Sequence, residues 1–399
     1  MSALVSPIPR AGAVVDKYLI PDLPSSEEVL PYLRRIDQAR WYSNFGPLVC
    51  EFEDRLRSLL SAADPQSHLR PLHLTTLVSG HHALEIGMAL SGVGPGKTVL
   101  LPAVTFPSCP LAVQNIGATP LLGDVDPNTW SLTSAIARAA ASHTRIDAVM
   151  PVAVYGVPIP TAEWDQFSQD TGIAVVIDAA AAVEAQRIPQ YALVAHSLHA
   201  TKPFGIGEGG ALVGRAPDVI ASARRYSNFG MIDRQSHVAG SNAKLSEYHA
   251  AVALAQLDRW PDVKKSRSSL LQTYVECLRP LMDYVALQPS IETAVVCNLM
   301  LRLKQPMADV ILSDAKRIGL ALHRTYLPPL YRHPHFQQLS VVDTDGAVLS
   351  GQADTFIKQA HMPNSEMLLA HLIGVPFHPF MTGNEVASVV ETLSSLLVH

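Results

Sequence analysis

Short apolar runs alternate with amphipathic segments between residues 41 and 215. Runs rich in Val, Ile and Leu on both faces are typical of parallel strands that helices cover on each side. The predicted strands are Thr98–Val104, Thr119–Val125, Ala148–Tyr155, Ala174–Ala179, Leu193–Leu198 and Gly210–Val213. The helices predicted between them are His82–Leu90, Cys109–Asn115, Leu132–Ala141 and Thr161–Thr171. This alternation predicts an α/β fold with a mostly parallel central sheet flanked by helices.

The pattern changes after residue 245. Ser246 is a candidate N-cap for a helix that runs to Arg259, with an apolar stripe on one face. A charged stretch, Asp262–Arg267, then leads to a long helix and a smaller C-terminal region. In that region we predict a strand at Val295–Leu303 and helices at Asp309–Ile318 and Glu385–Val398. The predicted units are an N-terminal segment (1–35), a large domain (36–265) and a small C-terminal α/β domain (266–399).

The composition of the chain is that of a globular protein and argues against several other classes. Of 399 residues, 48% are hydrophobic and 16% are charged, which is typical of a globular protein. The net charge of −5 offers no basic field for nucleic acid or an anionic membrane. Four scattered cysteines without a CxxC pair favour reduced thiols, and no apolar run is long enough to span a bilayer. We therefore expect a cytoplasmic protein without a disulfide framework.

Two residues carry the most specific candidate chemistry. Asp178 ends an apolar strand, at the edge of an open α/β sheet where ligands bind, although a solvated aspartate at the start of a loop gives the same pattern. Lys202 lies in a run of small and polar residues that precedes four closely spaced glycines. Such a lysine can react with a carbonyl group when it is partly desolvated, and glycines let the backbone approach a bulky cofactor.

Two further segments are candidates for binding a cofactor. Residues 79–84 (SGHHAL) open an apolar helix with Gly80, His81 and His82, and a helix N-terminus is a natural site for phosphate. A metal site is disfavoured there, because consecutive histidines point in different directions. Phe106 follows a strand and can stack on a flat ring, although a core phenylalanine is the simpler interpretation. An amine, a carboxylate, an aromatic face and a phosphate site together point to pyridoxal phosphate (PLP).

With these residues in hand, the chain resembles the DegT/DnrJ/EryC1/StrS sugar aminotransferases, a branch of the fold-type I PLP-dependent enzymes. The resemblance runs from about residue 41 to the C-terminus. Its segments are residues 41–48 (WYSNFGPL), 79–84 (SGHHAL), 102–106 (PAVTF), 197–202 (SLHATK), 207–210 (GEGG) and 240–247 (GSNAKLSE). The resemblance implies a large domain with a central, mostly parallel sheet and a smaller C-terminal α/β domain.

The resemblance also implies roles for single residues. Lys202 would be the lysine that binds PLP covalently and moves protons during the reaction, and Asp178 would pair with the ring nitrogen. Phe106 would stack on the ring. The phosphate would be bound by the segment that contains Gly80, His81 and His82, together with Ser197. Asn242 would reach the phosphate of a neighbouring subunit, which implies a homodimer with shared active sites.

The implied activity is transfer of an amino group, with L-glutamate as donor and a keto-sugar, nucleotide-linked, as acceptor. Ala181 and His81 depart from the family pattern, since a glutamine and a threonine are usual at these positions. Two alternatives stay open. One is a sugar dehydratase related to the family, although such enzymes have histidine where this chain has Lys202. The other is a PLP-binding or sugar-binding regulatory protein that has lost turnover.

Overall fold

The computed structural model describes residues 15–351 and 361–398. Its strands are β1 (His73–Leu77), β2 (Thr98–Pro102), β3 (Thr119–Gly123), β4 (Ala148–Val149), β5 (Ala174–Asp178), β6 (Leu193–Ser197), β7 (Gly210–Gly214), β8 (Met231–Ile232), β9 (Gln235–Ser236), β10 (Val285–Leu287), β11 (Leu299–Leu303), β12 (Val341–Val342), β13 (Val348–Leu349) and β14 (Leu372–Val375). Its α-helices are α1 (Ser26–Ala39), α2 (Pro47–Ala63), α3 (Gly80–Leu90), α4 (Ser108–Asn115), α5 (Ser134–His143), α6 (Thr161–Thr171), α7 (Pro217–Tyr226), α8 (Glu247–Leu278), α9 (Ala308–Arg317), α10 (Pro363–His371) and α11 (Gly383–Leu397).

A large sheet forms the centre of the fold. Within the described ranges its strand order is β1-β7-β6-β5-β4-β2-β3-β12-β13. The pairs from β6 through β5, β4 and β2 to β3 and β12 are parallel, whereas β7 runs antiparallel to both β6 and β1. Buried aliphatic side chains cover both faces of the sheet. The predicted α/β class and the mostly parallel sheet are therefore confirmed.

Strand β4 is shorter than its sequence suggests. The apolar run predicts a strand over Ala148–Tyr155, but the ladder stops after Val149. Pro151 has no N–H group to continue the ladder, and the chain turns at Val154–Gly156, where Tyr155 has a positive φ of 57°. Beyond the strand the chain still follows β5, because the Ala153 N–H group donates to the Asp178 carbonyl at 2.9 Å.

Helix α8 is continuous where the sequence predicts two helices joined by a charged stretch. It has 32 residues and contains Pro261. The charged residues lie along the helix: Lys264 Nζ is 2.7 Å from Glu184 Oε1, and the buried Arg267 donates to the Val296 carbonyl at 2.9 Å. These two contacts, just after Pro261, help to keep one helix across the predicted domain boundary.

The C-terminal region contributes to two sheets. Strands β10, β11 and β14 form an antiparallel sheet that packs with α9, α11 and the second half of α8 around a separate core. Strand β12 instead joins the large sheet, beside β3. The division of the chain at residue 265 stays a prediction.

Candidate active site

A cavity of about 440 Å³ opens where the strands of the large sheet end. Six of the residues that the sequence singles out line it: Gly80, His81, Phe106, Asp178, Ser197 and Lys202. They lie at the ends of β5 and β6 or in the segments that follow β1, β2 and β6, so the sheet brings distant positions to one edge. Of the described positions, His82 and Asn242 stand outside the wall of this cavity.

Asp178 is held by two hydrogen-bond donors. The Ala180 N–H group donates to Oδ1 at 2.9 Å, and the Cys109 thiol donates to Oδ2 at 3.0 Å. Burial raises the pKa of the Asp178 carboxyl above its usual value, while the two donors and the charge of Lys202 oppose that rise. The carboxyl group is thus oriented by its neighbours and lies in a setting of low polarity.

Lys202 follows β6 in a tight turn, where its N–H group donates to the His199 carbonyl at 2.8 Å. Burial lowers the pKa of its amine, but the acidic groups of Tyr326, Cys297 and Asp178 outweigh burial, and the pKa lies above its ordinary value. The amine therefore holds its proton more tightly than an ordinary lysine does. It must release a proton before it can act as a nucleophile or a base.

Close packing explains two glycines around this cavity. A Cβ atom on Gly80 would lie 2.7 Å from the Ser197 Cβ atom, and one on Gly210 would lie 2.3 Å from the Ser79 carbonyl oxygen. The start of α3 therefore lies directly against β6 and β7. The Ser79 hydroxyl caps α3 by accepting the His82 N–H group at 3.2 Å, and it also pairs with His82 Nδ1 at 2.9 Å. This pairing directs the His82 ring toward the cap.

His81 belongs to a chain of hydrogen bonds at the cavity wall. Its Nδ1 atom is 2.9 Å from the Ser108 hydroxyl, and its Nε2 atom is 3.0 Å from Glu85 Oε1. Asn115 also donates to Glu85 Oε1, at 2.6 Å. Burial raises the pKa of Glu85, but the His81 and Asn115 donors outweigh it and hold the pKa below its usual value. An ionised Glu85 places the proton of the ring on Nε2, so that Nδ1 faces Ser108.

Aromatic side chains form one side of the cavity. The Tyr326 ring stacks on Tyr155, with centroids 5.0 Å apart and planes 14° from parallel, and it meets Phe106 edge-on at 6.5 Å. The Tyr155 hydroxyl donates to the Thr325 carbonyl at 2.8 Å. Burial raises the pKa of the Tyr326 phenol above its usual value. Phe106 remains 59% exposed in this chain, which leaves a ring face available to a ligand.

The sequence did not single out Cys109, Glu85, Ser108 or Tyr326 as parts of the site. One signal was available for Glu85, which lies one helical turn after His81. Cys109 gives no such signal, because its apolar segment has the pattern of an ordinary core segment. Tyr326 gives no comparable signal, because it reaches the cavity from a distant loop.

Asn242 lies near an exposed aromatic ring. Its Oδ1 atom accepts a hydrogen bond from Lys244 Nζ at 2.7 Å, and the same ammonium lies 4.6 Å from the centroid of Phe229. Phe229 is 46% exposed. Asn242 is itself exposed.

Within residues 15–351 and 361–398, no helix has the length and apolar character that crossing a membrane requires. Across the same ranges, no three His, Cys, Asp or Glu side chains converge as metal ligands would.

Comparisons with known proteins agree with this geometry. Residues 25–394 match the model of the DegT/DnrJ/EryC1/StrS aminotransferase family. Protein Rv3402c of Mycobacterium tuberculosis is 31% identical over 409 residues, which cover 97% of this chain and 92% of that protein. GDP-perosamine synthase of Caulobacter vibrioides is 25% identical over 333 residues, covering 79% of this chain and 87% of that protein.

The fold is also similar to a solved structure, that of 3-amino-5-hydroxybenzoic acid synthase. The TM-score is 0.78 at 24% sequence identity, and the similarity covers 95% of this chain and 99% of that one. The family match spans most of the sequence, and a relative above 30% identity aligns along nearly all of it. The chain therefore belongs to the DegT/DnrJ/EryC1/StrS aminotransferase family and is a PLP-dependent aminotransferase.

Proposed function

We propose that this enzyme transfers the amino group of L-glutamate to a keto-sugar, nucleotide-linked, in the biosynthesis of amino sugars. Family membership and the similarity to GDP-perosamine synthase support the sugar acceptor. The observation that carries the proposal is the single cavity that Lys202 and Asp178 share. It gives an amine and a carboxylate to one bound ligand, as the reaction requires.

The residues around the cavity suit PLP in both shape and chemistry. The volume of about 440 Å³ leaves room for a substrate beside the ring. Asp178 offers a buried carboxylate for a protonated ring nitrogen, and Phe106 offers an exposed aromatic face. We propose that the phosphate lies at the N-terminus of α3, near the backbone of Gly80 and the hydroxyl of Ser197.

PLP, when bound, supplies an aldehyde that accepts the amino group and a ring that delocalises the electrons of the reacting carbon. Lys202 would hold the cofactor in its resting state and then carry the proton between the substrate carbon and the cofactor carbon. Asp178 would keep the ring nitrogen protonated. Asp178 is also one of the acidic groups, after Tyr326 and Cys297, that raise the pKa of Lys202, so a cation paired with it would lessen that effect.

His81 would act near the phosphate through Ser108. Glu85 accepts from Nε2 of the ring, and Nδ1 lies against the Ser108 hydroxyl, so the imidazole sets the position of that hydroxyl at the cavity wall. His82 would contribute its backbone, since its ring is paired with Ser79.

We propose a homodimer in which Asn242 of each subunit reaches the phosphate site of the other. The position of Asn242 outside its own cavity wall, beside the exposed Phe229 ring, supports this arrangement. Tyr42 and Tyr248, whose rings lie 6.2 Å apart and are also about half exposed, offer apolar surface of the kind that dimers bury.

The amino-transfer reaction is tested with purified protein, PLP and L-glutamate. We expect 2-oxoglutarate and pyridoxamine phosphate in equal amounts, and a rate that falls by about 10²–10⁴-fold in Lys202→Ala. Borohydride reduction followed by peptide mass spectrometry should place the label on Lys202. Label on another residue, or no product from any amino acid in a panel of donors, would contradict the proposal. Nucleotide-linked keto-sugars and the same sugars without the nucleotide are then compared as acceptors.

The shared site is tested by co-expressing Lys202→Ala and Asn242→Ala chains with different tags. If each site combines Lys202 of one subunit with Asn242 of the other, the mixed dimer contains one intact site. We then expect activity at limiting PLP well above that of either variant alone. No recovery in the purified mixed dimer would show that Asn242 serves its own subunit or no site.

A further inference from the structure

A buried thiol contacts the carboxylate that faces the candidate cofactor site. The Sγ atom of Cys109, at the start of α4, lies 3.0 Å from Asp178 Oδ2, at the end of β5. Cys109 has no exposed surface, and Asp178 is 5% exposed. The two residues are 69 positions apart in sequence. The contact therefore depends on the tertiary fold and not on local geometry.

The direction of this hydrogen bond follows from the protonation of the two groups. Burial, and next the charge of Asp178, raise the pKa of the Cys109 thiol well above its usual value, so the thiol keeps its hydrogen. A carboxylate can only accept, and hence the S–H group donates to Oδ2. The Thr105 hydroxyl, 3.3 Å from Sγ, then donates to the sulfur. Two successive hydrogen bonds, from Thr105 to Cys109 and from Cys109 to Asp178, therefore form a relay that ends on the carboxylate.

We infer that Cys109 is a positioning residue for the cofactor's ring nitrogen, acting through Asp178. The Ala180 N–H group fixes Oδ1, and the Cys109 thiol fixes Oδ2, so the plane of the carboxylate is set from two sides. Both donors also stabilise the ionised form, which burial disfavours. This inference rests on the proposed role of Asp178 in binding PLP.

A purely packing role makes a different prediction. If the site required only volume, then an apolar residue of similar size would serve as well as cysteine. In the relay, by contrast, loss of the S–H group leaves Oδ2 without this donor in a buried setting, where such a loss is costly. Serine keeps a donor at the position, although its shorter bond places the oxygen further from Oδ2.

The hydrogen bond itself is tested by infrared spectroscopy of the full-length protein. The S–H stretching band falls in a region free of other protein bands, and subtracting the Cys109→Ala spectrum isolates the contribution of Cys109. We expect a band shifted to low frequency by its strong acceptor, and a return toward higher frequency in Asp178→Asn. A Cys109 band at the frequency of a free thiol, unchanged in Asp178→Asn, would overturn the inference. This measurement does not depend on the reaction.

The functional effect is tested with PLP-loaded enzyme and L-glutamate. In Cys109→Ala we expect kcat to fall about tenfold, equivalent to about 1.4 kcal/mol, with KM for glutamate little changed. The acid limb of the kcat profile should move to higher pH, because losing the donor raises the pKa of Asp178. Cys109→Ser should recover most of kcat and restore the acid limb. Cys50→Ala, which removes an exposed thiol, is the matched control.

The outcomes separate this inference from the proposed function. If Lys202-dependent transamination occurs while Cys109→Ala and Cys109→Val retain the wild-type kcat and pH profile, then the positioning role is wrong and the function stands. If PLP binds nowhere near Lys202, then the function fails, and the infrared result still decides whether the thiol donates to Asp178. If the Cys109→Ala variant does not fold, then Cys109→Val and Cys109→Ser, which preserve more of the side-chain volume, take its place in these measurements.

Discussion

Glu85 Oε1 lies 3.0 Å from His81 Nε2, one helical turn along α3, and this contact fixes the imidazole at the wall of the cavity. The other ring nitrogen then meets Ser108 at 2.9 Å. A residue that the sequence marks for its place in a phosphate-binding segment is thus oriented by a carboxylate that the sequence did not mark.

The first prediction concerns this pair. Glu85→Gln keeps the shape of the side chain but replaces the charged acceptor of the His81 ring with a neutral one. We expect the dissociation constant for PLP to rise about two- to tenfold, the range of one net hydrogen bond. Fluorescence titration of cofactor-free protein with PLP measures it. His81→Ala should show an effect at least as large, and a wild-type constant in both variants would remove the pair from cofactor binding.

The second prediction is that Phe106 contributes to PLP binding more than to stability. Its ring is 59% exposed in this chain, so Phe106→Ala should leave the melting temperature of the cofactor-free protein nearly unchanged. Losing a stacking partner should weaken PLP binding about tenfold, while Phe106→Tyr should bind almost as the wild type does. Calorimetric melting and PLP titration test the two parts. A large loss of stability in Phe106→Ala, with unchanged PLP affinity, would instead assign the ring to the core.

The third prediction is that burial of His196 makes the stability of the protein depend on pH. Burial lowers its pKa from 6.5 to about 4, and its Nδ1 atom contacts the Ala179 carbonyl oxygen at 3.1 Å. Because the unfolded chain binds the proton more readily, the free energy of unfolding falls as pH drops from about 6.5 toward 4. At pH 5 this single group should cost roughly 2 kcal/mol relative to pH 7.

Urea unfolding of cofactor-free protein at the two pH values measures this cost. His196→Gln, which does not titrate, should lose clearly less stability on acidification than the wild type. His143, which is exposed, supplies the control variant His143→Gln, and it should behave as the wild type does. An identical loss in His196→Gln and the wild type would rule out His196 as the source.

Glu247 supports the fourth prediction. Its buried carboxylate accepts the N–H groups of Leu48 and Val49, both at 2.9 Å, and so caps the start of α2. Glu247→Gln should lower the free energy of unfolding by about 2 kcal/mol, because charge-assisted bonds are replaced by weaker ones. Glu27→Gln, on the exposed first turn of α1, should change it by less than about 0.5 kcal/mol. Equal effects in the two variants would argue against the cap.

The contact between Glu247 and the start of α2 also explains Gly46, a residue of segment 41–48 whose role the sequence alone could not give. A Cβ atom on Gly46 would lie 2.6 Å from the Glu247 carboxyl carbon. The glycine and the glutamate stand at opposite ends of the large region, and only the folded chain shows that the glycine makes room for the cap. Both belong to segments that the sequence linked to a cofactor enzyme, yet their contacts are structural.

Strands β2, β3, β5, β6 and β7 could be predicted because each is a short apolar run. Asp178 could be singled out because it ends such a run, and Lys202 because it lies in a run of small and polar residues before four glycines. Cys109 and Tyr326 could not, because a thiol or a phenol in an apolar segment has the same local pattern as an ordinary core residue. The continuity of α8 was hidden by Pro261 and by the charges around it, which pair with groups distant in sequence.

That continuity has a consequence for protein engineering. A polypeptide cut after residue 265 would end in the middle of α8 and would lack β12, which pairs with β3 in the large sheet. Leu271 and Tyr274, in the second half of the helix, would stay with the small sheet whose core they share, but would be separated from the first half of the helix. An exchange of C-terminal regions between relatives should therefore transplant α8 whole and include a matching partner strand for β3.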